Sequence, residues 1–116
     1  SVVRSSSMTE LYRRGDSFGI DGKQIDGMDI VAVRQAGLEA VEFVKSKSRP
    51  MILEMKTYRY RGHSMSDPAK YRSKEEVATF KNNRAPINQY KARLISNNII
   101  SESELKEINI YIKLEQ

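Results

Sequence analysis

The chain has no cysteine and no tryptophan, only three prolines, and a single histidine. Without cysteine it can build neither a disulfide framework nor a thiolate metal site, and an intracellular compartment is the natural, though permissive, expectation. Long hydrophobic runs are also missing. The first residues carry no basic segment followed by an apolar one, so neither a membrane span nor a secretory signal is expected. What is present is ordinary for one soluble globular domain: 116 residues, 39% hydrophobic and 30% charged. The net charge of +5 suits an acidic partner, whether nucleic acid, a phosphorylated cofactor or an acidic protein, but its sign does not choose among them.

Met8, Leu11 and Tyr12 fall at helical spacing, and Arg13-Arg14-Gly15 supplies basic residues and a glycine where a helix stops, which predicts a short helix from about Arg4 to Arg14. Asp16 to Met28 reads as a glycine-rich loop with one short strand at Lys23 to Asp26. Asp29 can cap the next helix, where Ile30, Val33, Gly37, Ala40, Val41 and Val44 share a face and Arg34, Glu39 and Lys45 lie off it. Small residues at Ala36, Gly37 and Ala40 would let this helix sit close on a sheet. Lys45 to Arg49 place positive charge at its carboxyl end before Pro50. Met51-Ile52-Leu53 is continuously apolar and Met55 and Thr57 then alternate with Glu54 and Lys56, so a strand is expected with its first half buried on both faces. Ser73 three residues before Glu76 predicts a helix from Lys74 to about Lys81, broken by Asn82-Asn83-Arg84-Ala85. Pro86 opens another helix with Ile87, Tyr90, Leu94 and Ile95 on its apolar side. Ser101 and Glu104 repeat the cap before a terminal amphipathic helix carrying Leu105, Ile108 and Ile112.

One strong strand and one weak one do not make a stable sheet, because a parallel core strand needs neighbours on both edges. The expectation is therefore the carboxyl-terminal part of a larger α/β domain, mostly helical, with one or two strands of an incomplete parallel sheet.

The stretch that could carry chemistry is Tyr58-Arg59-Tyr60-Arg61-Gly62-His63-Ser64-Met65-Ser66-Asp67, with Pro68 behind it. It follows the carboxyl end of the strong strand, where α/β proteins place their sites. His63 can give or take a proton near neutral pH, and Gly62 allows close backbone approach to a ligand. Arg59 and Arg61 can bind phosphate or carboxylate, or order the loop by pairing with Asp67. On the residues alone a plainer alternative stays open, in which His63 is a hydrogen-bonded or exposed loop residue and the tyrosines pack on a neighbouring element. A basic, aromatic segment that stacks on nucleic acid is open as well.

The run Thr57 to Pro68 closely resembles the phosphorylation-loop segment of the alpha subunits of pyruvate dehydrogenase, the thiamine-diphosphate-dependent, acetyl-transferring component of the pyruvate dehydrogenase complex. The resemblance continues in Tyr12 to Asp16, Ile25 to Asp29 and the helix after it, Pro50 to Glu54, Tyr71-Arg72 with the capping box, and Ser103 to Lys106. It implies a thiamine-diphosphate-binding fold and an enzyme that decarboxylates pyruvate and reductively acetylates the lipoyl group of the acyltransferase. The position matching His63 would contact the cofactor and assist that transfer by proton donation and charge stabilisation. Ser64 matches the main inhibitory phosphosite of kinase-regulated members, and Ser1 matches a further one. Asp67, Tyr71 and Arg72 match positions that order the loop over the active-site entrance. A beta subunit and the lipoyl domain of the dihydrolipoamide acetyltransferase are the implied partners, with no nucleic acid and no membrane.

Two departures qualify the match. Only Ala69-Lys70 separate Pro68 from Tyr71, one residue fewer than in kinase-regulated members, and the second serine of that loop is missing. That favours a bacterial-type, cytoplasmic enzyme over one of the mitochondrial matrix. The family's signature for diphosphate and magnesium, a Gly-Asp-Gly segment ending in paired asparagines, belongs upstream of Ser1, and neither Asp21-Gly22 nor Asn82-Asn83 replaces it. The expectation is thus that residues 1–116 form the carboxyl-terminal portion of a single dehydrogenase domain, with no metal ligands of its own, no tight binding of thiamine diphosphate and magnesium, and no activity alone. A branched-chain 2-oxoacid dehydrogenase alpha subunit is the alternative substrate class.

Overall fold

Local chemistry sets most element ends. In the computed structural model, which describes residues 9–60 and 73–116 apart from the side chains at 77, 80, 82 and 83, the Asp29 carboxylate accepts from the amides of Val31 and Ala32 at 3.0 and 3.2 Å. These are donors that the first turn of a helix leaves without an intrahelical partner. They start α1, Ile30–Lys47, which closes on Ser48 in the left-handed region with Lys45 and Lys47 in its last turn.

Before it lies β1, Asp21–Asp26, and after it β2, Met51–Lys56. The strands pair in parallel, Asp21 opposite Met51 through to Asp26 opposite Lys56. This is a β–α–β unit, mostly helical α/β as expected, with β1 starting two residues before the strand that the sequence indicated. The core of the unit is small. Ile25, Met28 and Ala36 are its buried hydrophobic side chains among the described residues.

Several expectations change here. The short helix is a 3-10 helix over Leu11–Phe18 that runs past Gly15, not an element ending there, and residues 1–8 lie outside the described residues. Gly15 is buried, and a Cβ on it would meet Ile52 Cδ1 at 2.8 Å and Ile20 Cβ at 2.9 Å. Its role is close packing, and Gly19, at φ 65°, is the residue that ends the helix. On α1 the deeply buried residue is Ala36, whereas Ile30, Val41 and Val44 are exposed and, among the described residues, nothing lies within 4 Å of a Cβ built on Gly37. Met51 to Leu53 are half-buried, not covered on both faces.

The second compact unit begins at Arg59. Its described part is α2 (Lys74–Arg84), α3 (Pro86–Ser96) and α4 (Glu102–Leu114). Ser73 and Ser101 cap α2 and α4 by accepting from Glu76 N at 2.9 Å and Glu104 N at 3.2 Å. The asparagines at 82 and 83 do not break α2, which continues to Arg84 because the restriction comes from Pro86, acting on the residue before it. Asn88 and Gln89 of α3 donate their side-chain amides to the Lys81 and Arg84 carbonyls, at 3.4 and 2.8 Å, which satisfies the end of α2.

Candidate functional site

The parallel register brings the carboxyl ends of β1 and β2 to one edge, and the turns that leave them are stitched together. Gly27 N donates to Lys56 O at 2.8 Å. Asp26 accepts from Met28 N at 3.0 Å and Asp29 from the first α1 amides, so this edge presents carboxylates that already hold the nearby backbone donors. From β2 the chain continues through exposed Thr57 to half-buried Tyr58 and on toward His63.

Of the residues singled out by sequence, Arg59 is described and is exposed. His63, Ser64, Asp67, Tyr71, Arg72 and Ser1 lie outside the described residues, so the described structure does not bring the candidate set together.

The described edge offers a place to neither a diphosphate nor a metal. An anion at a helix start needs free amides, yet Val31 and Ala32 donate to Asp29, and the Asp26 carboxylate stands beside it. Among the described residues no group of three or more His, Cys, Asp or Glu is placed to hold a metal ion. This donor set does not fit a magnesium diphosphate.

Sequence reasoning passed over Glu54. Its Oε2 accepts from Tyr12 N at 3.0 Å and from Gln24 Nε2 at 3.3 Å, riveting the 3-10 helix and β1 to β2. Gly22 makes room for that helix, since a Cβ there would collide with the Tyr12 carbonyl. The signal was available in part, because a glutamate interrupting an apolar strand needs polar partners. On the outer side Lys23 Nζ pairs with Glu39 Oε2 at 2.7 Å and Gln35 Nε2 donates to Glu39 Oε1 at 3.0 Å. The Lys23 hydrogen bond, then that of Gln35, then the Lys23 charge hold the Glu39 carboxyl below its ordinary range.

Compared with known proteins, residues 1–115 match the family of the dehydrogenase E1 component. The chain belongs to that family. Among dehydrogenase E1 components, it is 54% identical over 113 residues to the pyruvate dehydrogenase E1 component subunit alpha of Rickettsia bellii, covering 97% of this chain and 34% of the relative. To the protein of the same name from Rhizobium meliloti it is 57% identical over 109 residues, 94% of this chain and 31% of the relative. A mitochondrial E1 component alpha subunit from Sminthopsis macroura is 43% identical over 116 residues, 99% of this chain and 31% of the relative. The chain spans about a third of the length of these relatives. Among the described residues, no helix of this E1 component chain is long and apolar enough to cross a membrane.

Proposed function

We propose that the chain is the carboxyl-terminal portion of the alpha subunit of a bacterial-type, cytoplasmic pyruvate dehydrogenase, a subunit that decarboxylates pyruvate with thiamine diphosphate and passes the acetyl group to a lipoyl domain. The observation that carries this is identity of 54% along 97% of the chain to a protein of that name. The stitched carboxyl edge supports it by fixing where β2 releases the chain toward residues 57–68.

Within this reading, His63 is the group that holds or moves a proton at the mouth of the site, a task suited to imidazole near neutral pH. Arg59, Asp67, Tyr71 and Arg72 order the loop around it. A phosphate on Ser64 would set about two negative charges in the same loop. The ligands of thiamine diphosphate and magnesium are assigned to residues outside this chain, and a beta subunit to the remaining wall.

The test is steady-state decarboxylation by the full-length subunit co-purified with its beta subunit, with pyruvate and branched-chain 2-oxoacids as competing substrates. Preference for pyruvate is expected. Equal or better use of branched-chain substrates, or no turnover, overturns the proposal.

A further inference from the structure

Glu54 is a carboxylate in a strand that otherwise opens on Met51, Ile52 and Leu53. Strand side chains alternate, so Ile52 and Glu54 share one face of β2, and Met51 and Leu53 the other. The 3-10 helix lies on the first face: its Gly15 is pressed on Ile52, and the amide of its Tyr12 donates to Glu54 Oε2 at 3.0 Å. The helix therefore runs antiparallel to β2, and its first turn stands near the carboxyl edge of the sheet, where β2 ends at Lys56. The same carboxylate oxygen accepts from Gln24 Nε2 of β1 at 3.3 Å. Just beyond, Gly27 N closes the edge by donating to Lys56 O at 2.8 Å. One half-buried side chain thus ties three elements beside the point from which the chain leaves toward Thr57 and Tyr58. Apolar contact would hold these elements together without a preferred direction, whereas two hydrogen bonds to one oxygen fix angle as well as distance.

We infer that Glu54 is a positioning residue for the reaction: by fixing the last residues of β2 against β1 and the 3-10 helix, its carboxylate sets the direction in which the chain leaves the sheet toward His63. This rests on the proposed role of His63 in proton transfer. Glu54 touches no reacting atom and acts only through the backbone that follows it. Positioning of this kind has a large kinetic reach, since a misplacement of about 1 Å can cost about 10²-fold in rate. The side chain serves as an acceptor and not as a charge, because both of its partners are neutral donors.

The test uses the full-length subunit assembled with its beta subunit, well below its melting temperature, as parent, Glu54→Met, Glu54→Gln and each of these combined with His63→Gln. Glu54→Met keeps the length of the side chain without the acceptor and is expected to lower kcat on pyruvate about tenfold or more, with the affinity for thiamine diphosphate unchanged, because the cofactor's ligands are assigned outside this chain. Glu54→Gln, which keeps an acceptor, recovers most of the loss. In the His63→Gln background Glu54→Met costs less than about twofold further, since the two act on one step. Parent-like kcat in Glu54→Met, or the same loss with His63 already replaced, overturns the inference, and so does a fall in cofactor affinity that matches the fall in kcat. Exchange of the Gly27 amide needs no substrate and is expected about tenfold faster in Glu54→Met than in the other two proteins. A parent inactive on pyruvate whose Gly27 exchange follows that order sinks only the proposed activity; an inactive parent without that order sinks both.

Discussion

Gly27 donates its amide to the Lys56 carbonyl at 2.8 Å, one residue past the last register pair of the sheet, Asp26 and Lys56. The bond leaves no room for a side chain, since a Cβ on Gly27 would stand 2.7 Å from Thr57 Cγ2 and 2.9 Å from Lys56 O. Gly27→Ala is therefore expected to destabilise the full-length subunit by about 1–3 kcal/mol. Gly37→Ala, with nothing among the described residues within 4 Å of the new methyl, is expected to stabilise it by about 0.5–1 kcal/mol through helix propensity and a less free unfolded chain. Denaturant midpoints of the two variants should move in opposite directions.

Removing the Glu54 carboxylate leaves the Tyr12 amide and the Gln24 side chain without their shared acceptor. Glu54→Ala should lower stability by about 1–3 kcal/mol. Glu54→Gln keeps a carbonyl oxygen in place and should lose clearly less, so equal losses in urea titrations would show that the acceptor is not what matters.

The Glu39 carboxyl is held below its ordinary value of 4.5 chiefly by the Lys23 hydrogen bond. A folded-state value below the unfolded one means that the contribution is fully present above the ordinary value and fades as pH falls through the folded one. Glu39→Gln should thus flatten the stability curve below about pH 4.5, leaving its shape near neutrality unchanged. Added salt should shrink the difference between the two proteins, because the pair is exposed. Urea midpoints measured across the acid range give the answer.

His63→Gln in the assembled enzyme should cut turnover by about 10²- to 10⁴-fold, the usual span for losing a general acid or base. Its melting temperature should stay close to that of the parent. Ser64→Asp should reduce activity through its charge while Ser64→Ala retains most of it. A fully active His63→Gln enzyme would remove that residue from the proposed site.

Caps were the most legible part of the sequence. Asp29, Ser73, Pro86 and Ser101 begin helices where expected, because a short acceptor side chain or a locked φ acts within one turn and needs no distant partner. Gly15 misleads for the opposite reason: its tight surroundings are made by Ile20 and by Ile52, 37 positions away, and local punctuation does not reveal that packing. The apolar face of α1 was found in outline, yet Val41 and Val44 border a groove while Ala36 is the residue pressed into the core. Periodicity finds the side of a helix, not how far along that side the neighbour extends. Of the candidate site only Arg59 lies among the described residues, and sequence passed over Glu54, whose partners come from two other elements.

One residue joins α2 to α3. Ala85, at φ −58° and ψ 134°, ends the first helix and precedes the second, and Pro86 follows at once. A corner turned on a single extended residue ahead of a proline resists straightening, because the ring disfavours the helical conformation at the residue before it. Asn88 and Gln89 brace it from one turn beyond, so the corner is a property of this short run of chain and needs no element further along the sequence.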